Sequence, residues 1–116
     1  MKFWIKRLSH PIRGLKHAFA HDFAVRCNLA LGIVGIPASY FLFGPFSPAE
    51  VLLLIFCWFF VVVTELQNSA IETALDKVHP EHHSSIGLSK DLAAGAVVWA
   101  AVFGLVSFGF VLSGVL

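Results

Sequence analysis

Charge is scarce in this chain: Asp, Glu, Lys and Arg make up 13% of residues, against 58% hydrophobic residues and a mean hydropathy of +0.82. Soluble domains carry about 25% charged residues, so the composition excludes a water-soluble globule and indicates a membrane protein. Cysteine is sparse too, and Cys27 and Cys57 have no CxxC spacing and apolar or interfacial neighbours. That argues against a disulfide framework or a thiolate metal centre. No glycine-rich GxxxxGK loop is present, which excludes the common soluble nucleotide-binding design. The first 25 residues have neither a continuous apolar core nor a cleavage site, so no cleavable leader is expected. A chain of 116 residues leaves no room for a large soluble catalytic domain, and any chemistry is expected from side chains on or beside spanning helices.

The charges that are present are unevenly placed. Lys2, Lys6, Arg7, Arg13, Lys16 and Arg26 crowd the first quarter against a single acid, Asp22, a pattern that faces the cytoplasm and anionic lipid. Because this basic region directly adjoins apolar spans, no nucleic-acid partner is expected. Phe3, Trp4 and Ile5 suit the headgroup layer, and Pro11 suits a helix start. Leu8, Ile12, Leu15, Phe19 and Phe23 recur at helical spacing opposite Arg13 and Lys16, which predicts an interfacial amphipathic helix within 1–24.

Three spans are predicted after it. The first covers 25–46 and has Pro37 inside it. Gly44-Pro45-Phe46 reads as a turn, after which Ser47 can cap, Pro48 fits the first helical position and Glu50 completes a capping box for a second span over 48–76. A polar loop over 77–89 carries His79-Pro80-Glu81-His82-His83, and the third span covers 90–114. Ala96, Ala100 and Gly104 form a small-residue stripe on that span, suited to close helix packing. The charge asymmetry puts the amino terminus and the 77–90 segment on the cytoplasmic side and the cation-free Gly44 to Ser47 turn outside.

Thirteen uninterrupted apolar residues, Val51 to Val63, run directly into Thr64-Glu65-Leu66-Gln67-Asn68-Ser69-Ala70-Ile71-Glu72. Glu65, Asn68, Glu72 and Asp76 then fall at i, i+3, i+7 and i+11, on one narrow helical face. Counted from Pro48, Glu65 lies about 26 Å along the helix at 1.5 Å per residue, close to the far side of a ~30 Å hydrocarbon core. Acids at a membrane edge are costly and mark functional sites. Glu72 and Asp76 by themselves are also compatible with a solvated helix end, whereas Glu65 with Asn68 and the polar echo Ser89-Lys90-Asp91 is not so simply explained.

Glu65-x-x-Asn68-x-Ala70-Ile71-Glu72, then Asp76, then Lys90-Asp91-x-Ala93-Ala94-Gly95-Ala96-Val97 resembles the signature of the small prokaryotic diacylglycerol kinases, a family that includes undecaprenol kinases. The resemblance extends from about Ile12 to the last helix. It implies an all-α membrane protein, an amino-terminal surface helix plus three transmembrane helices, assembled as a homotrimeric bundle with active sites shared between subunits in the bacterial inner membrane. It implies ATP as co-substrate and Mg²⁺ as cofactor, with Glu65 as catalytic proton acceptor and Asp22 and Glu72 as metal and ATP ligands. Asn68, Glu81, His82, His83, Lys90 and Asp91 complete the implied nucleotide site, and Lys16, Phe19, Glu65 and Ala94 are assigned to the lipid substrate.

The residue types agree with that chemistry. Mg²⁺ typically takes one or two protein carboxylates together with phosphate oxygens and water, Lys90 offers a point charge, and Glu65 can orient or deprotonate a lipid hydroxyl. Asp22 replaces the more usual Glu, and Gln67 an apolar residue. The expected acceptor is diacylglycerol, giving phosphatidic acid; Asn28 stands where Gram-negative members tend to carry an acid, which makes undecaprenol the alternative. Two other classes compete with a kinase. A cation or proton transport component would use Glu65 and Glu72 along a pathway, but the acids lie toward one interface and no broken helix or inverted repeat is evident. A zinc site on His79, His82 and His83, or on the i, i+4 pair His17 and His21, is not expected, because no further Asp, Cys or His stands at a fixed metal-ligand spacing.

Overall fold

The computed structural model describes residues 2–79, 81 and 83–116; Pro80 and His82, in the polar loop, fall outside the described residues. Four helices follow one another: α1 (Lys2–His21), α2 (Phe23–Phe43), α3 (Pro48–Val78) and α4 (Ser84–Ser113). The last three are long and apolar enough to cross a membrane, and α1 precedes them as an amphipathic surface helix. The protein is an all-α membrane protein.

On α1, Phe3, Trp4, Leu8, Ile12, Leu15 and Phe19 are exposed, and Ala18 alone is buried. An apolar face left uncovered by its own chain belongs in the lipid interface. The helix also runs through Pro11 from Lys2 instead of starting at the proline. Pro11 lacks the N–H that would bond the Arg7 carbonyl, but on an exposed surface helix that carbonyl can be solvated, so the usual interior penalty is relieved.

Asp22 ends α1 and starts α2 with no loop between them. Its backbone leaves the helical region (φ −101°, ψ 106°), and its Oδ1 accepts a hydrogen bond from the Val25 N–H at 3.2 Å, an N-cap for the first span. The α2–α3 turn carries the predicted capping box: the Ser47 N–H donates to Glu50 Oε1 at 2.8 Å, and the Glu50 N–H donates to Ser47 Oγ at 3.2 Å. Phe46, Leu54 and Val111 form a small buried cluster beside that turn, flanked by Ile36, Val51, Leu53 and Phe108.

Two close approaches fix the spans. The Trp58 indole lies against Gly32, where any Cβ would overlap the ring, and its Nε1 donates to the Asn28 carbonyl at 2.9 Å. Glycine at position 32 is what lets α2 and α3 meet there. Ala100 is buried and a Cβ on Gly104 would sit 3.8 Å from Cys57 Cβ, so part of the small-residue stripe packs α4 on α3, whereas Ala96 is exposed.

Helix α4 begins at Ser84, several residues ahead of the expected start. The polar 77–89 segment is expected as a loop, but His83 supplies a cap, its Nδ1 accepting from the Ser85 N–H at 3.2 Å, and Ser84 and Ser85 occupy the tolerant first turn. At the other end Gly114 adopts a left-handed conformation (φ 73°), which closes the helix where a side chain would be strained.

Candidate active site

At 31 residues, α3 is about 46 Å long, well beyond the ~30 Å hydrocarbon core. Its apolar run ends at Val63, and the polar residues from Thr64 onward make up its last turns. Facing these turns are the carboxyl-terminal end of α1 and the Asp22 junction, and a cavity of about 1140 Å³ opens between them. Asp22, Glu65, Asn68 and Glu72 all line it. Gly14, His17, Ala18 and His21 form part of the α1 wall, and Ser69, Thr73 and Lys77 part of the α3 wall.

Glu65 is 8% exposed, the one buried acid among the described residues. Glu72 is exposed and accepts a hydrogen bond from Asn68 Nδ2 at 3.4 Å. With its amide nitrogen so used, Asn68 leaves its Oδ1 buried with no partner. An orphaned acceptor of this kind is unusual in a folded chain and calls for a donor or a cation from outside. Asp22 is held on both oxygens: Oδ1 caps α2, and Oδ2 accepts from the Ser69 hydroxyl on α3, a tie across 47 positions of sequence. That second bond locks the surface helix and the first span onto the polar end of α3.

Other expected site residues lie elsewhere in the single chain. Lys90 forms an ion pair with Asp76, stapling the start of α4 to the end of α3, and neither lines the cavity. Glu81, His83 and Asp91 are exposed and also outside the lining, with the His83 ring engaged in capping; His82 lies outside the described residues. Lys16 and Phe19 are exposed on α1 and Ala94 is exposed on α4. Sequence reasoning passed over Ser69, Thr73 and Lys77 as site residues. Their spacing of four, eight and twelve from Glu65 places them along one ridge of α3, a signal that was available.

A buried acid at the membrane edge, two further carboxylates and an unsatisfied amide oxygen around one cavity suit phosphoryl transfer to a lipid. Residues 9–112 match the model of the prokaryotic diacylglycerol kinase family. The chain belongs to this family. It is 34% identical over 112 residues to the diacylglycerol kinase of Haemophilus influenzae, covering 97% of this chain and 90% of that protein. It is 36% identical over 104 residues to the diacylglycerol kinase of Helicobacter pylori (85% and 80% covered), and 26% identical over 104 residues to that of Escherichia coli K12 (90% and 84% covered). The protein is thus a membrane lipid kinase that uses ATP as its co-substrate.

Proposed function

We propose that this kinase transfers the γ-phosphoryl group of ATP directly to the hydroxyl of diacylglycerol, giving phosphatidic acid, in the cavity between α1 and α3. The observation that carries this reading is the burial of Glu65 at the edge of a span, in a cavity it shares with Asp22 and Glu72. In this reading Glu65 takes the proton of the lipid hydroxyl as the new oxygen–phosphorus bond forms and the bond from the γ-phosphorus to the β–γ bridging oxygen breaks. ADP leaves with that oxygen. Direct transfer is favoured because no side chain in the motif is an evident phosphoryl-carrying nucleophile.

The donor set fits Mg²⁺. Among the described residues no three or more His, Cys, Asp or Glu are grouped to cage a metal, but Mg²⁺ bound with a nucleotide asks for only one or two carboxylates. Asp22 and Glu72 would hold it, and the unpartnered Asn68 Oδ1 marks a place beside them that awaits a cationic or donor group. Bound there, Mg²⁺ supplies charge neutralisation for the phosphate oxygens. Asn68 positions the Glu72 carboxylate, and Ser69 positions that of Asp22.

Residues 1–116 act in this proposal as one kinase domain of the bacterial inner membrane, with the cavity and the amino terminus on the cytoplasmic side. The basic residues of α1 and of the α3–α4 connection support that orientation. A homotrimer with shared sites is supported by the separation of Lys90, Asp91 and Ala94 from the cavity of their own chain, since a neighbouring subunit would offer its own copies. Offering the purified kinase diacylglycerol and undecaprenol side by side with Mg-ATP tests the acceptor. The expected result is a higher kcat/KM for diacylglycerol; a higher value for undecaprenol would reassign the substrate while leaving the kinase chemistry in place.

A further inference from the structure

Three carboxylates face the cavity, whereas Lys90, the cation expected to meet the phosphates, is turned to Asp76. A phosphate chain entering such a space meets repulsion unless donors of opposite character stand opposite the acids. Those donors are present. Lys77 is the one ammonium lining the cavity, three turns past Glu65 on the α3 ridge, and among the described residues it has no ion-pair partner. Across from α3, His17 and His21 project from successive turns of α1 into the same cavity, their rings 4.7 Å apart between centroids and tilted by 52°. A lysine ammonium offers three N–H donors, and an imidazole offers at least one in any tautomer.

We propose that Lys77, His17 and His21 form a phosphate-binding rim for ATP, Lys77 contributed by α3 and the two histidines by α1, in the cavity that the carboxylates also line. The inference rests on the reading of this cavity as the transfer site. A metal chelate on the histidine pair is disfavoured because no third ligand joins them among the described residues. Phosphate oxygens satisfy the same donors without a fixed coordination number. The phosphomonoester of the lipid product shares that chemistry, so the test separates the two sources.

The full-length kinase in detergent, with Mg²⁺ and a β,γ-imido analogue of ATP, is titrated for the parent, Lys77→Met, Lys77→Arg, His17→Ala, His21→Ala and Glu72→Ala. Lys77→Met is expected to raise the analogue Kd about tenfold and each histidine variant about threefold. Lys77→Arg should stay near the parent, and the KM for diacylglycerol should not move in any Lys77 or histidine variant. A merely structural role would disturb both ligands together. Unchanged analogue Kd in Lys77→Met and in both histidine variants, with binding lost in Glu72→Ala, overturns the rim and leaves the transfer site standing. If Glu72→Ala also binds normally, the reading of the cavity falls with it. Weaker inhibition by short-chain phosphatidic acid, with the analogue Kd unchanged, likewise overturns the rim as an ATP site.

Discussion

Glu65→Gln is expected to lower kcat by about three orders of magnitude while the protein still folds and inserts, since a positioned general base contributes roughly 10²- to 10⁴-fold. The substitution keeps the side-chain volume at a position that is 8% exposed, so it opens no cavity in the α1–α3 contact. The decisive readout is therefore a turnover number measured on protein whose helicity and detergent-solubilised mass match the parent. Parent-level phosphorylation by such a protein would falsify Glu65 as the proton acceptor.

The second large effect concerns the two carboxylates assigned to Mg²⁺. Glu72→Ala removes an exposed side chain whose hydrogen bond to Asn68 is long, at 3.4 Å, so its structural cost is small. Loss of one charge-assisted ligand is expected to raise the Mg²⁺ concentration needed for half-maximal activity roughly 10- to 100-fold. Asp22 needs a different substitution. Asp22→Ala would strip the α2 cap, at about 1 kcal/mol, and cut the tie to Ser69 as well. Asp22→Asn keeps a good capping oxygen, and its amide nitrogen can donate to the Ser69 hydroxyl where Asp22 Oδ2 accepts from it, so it should reproduce the Mg²⁺ defect with a smaller loss of thermal stability than Asp22→Ala. A titration of activity against Mg²⁺ at saturating ATP checks both; parent-like curves for both variants would remove these residues from the metal site.

Much of the fold is legible in the sequence because its signals are local. The capping box at Ser47 and Glu50 and the long apolar runs depend on neighbours within a turn or two, and they set where α3 starts and which helices can span. The polar face of Glu65, Asn68 and Glu72 is legible for the same reason, being a matter of helical period. Helix α1 runs through Pro11 and α4 starts at Ser84, both against the local rule, because each rule meets a compensation: solvation of an exposed surface helix in one case, a histidine cap in the other. What no period reveals is which distant elements meet. The Ser69 to Asp22 bond, the seating of Trp58 on Gly32 and the diversion of Lys90 to Asp76 are all tertiary contacts. The family resemblance proposed Lys90 as a nucleotide contact, and the geometry of one chain draws attention instead to Lys77.

The central claim is that nucleotide and Mg²⁺ occupy the space between α1 and α3, and a single cysteine placed there tests it most directly. Thr73 is exposed and lines the cavity, while of the native thiols Cys27 is exposed and Cys57 buried. In a Cys27→Ser background, Thr73→Cys should react readily with a water-soluble maleimide, and saturating Mg²⁺ with an unhydrolysable ATP analogue should slow that reaction severalfold or more. An unchanged labelling rate, under conditions where the same analogue inhibits lipid phosphorylation, would contradict the account.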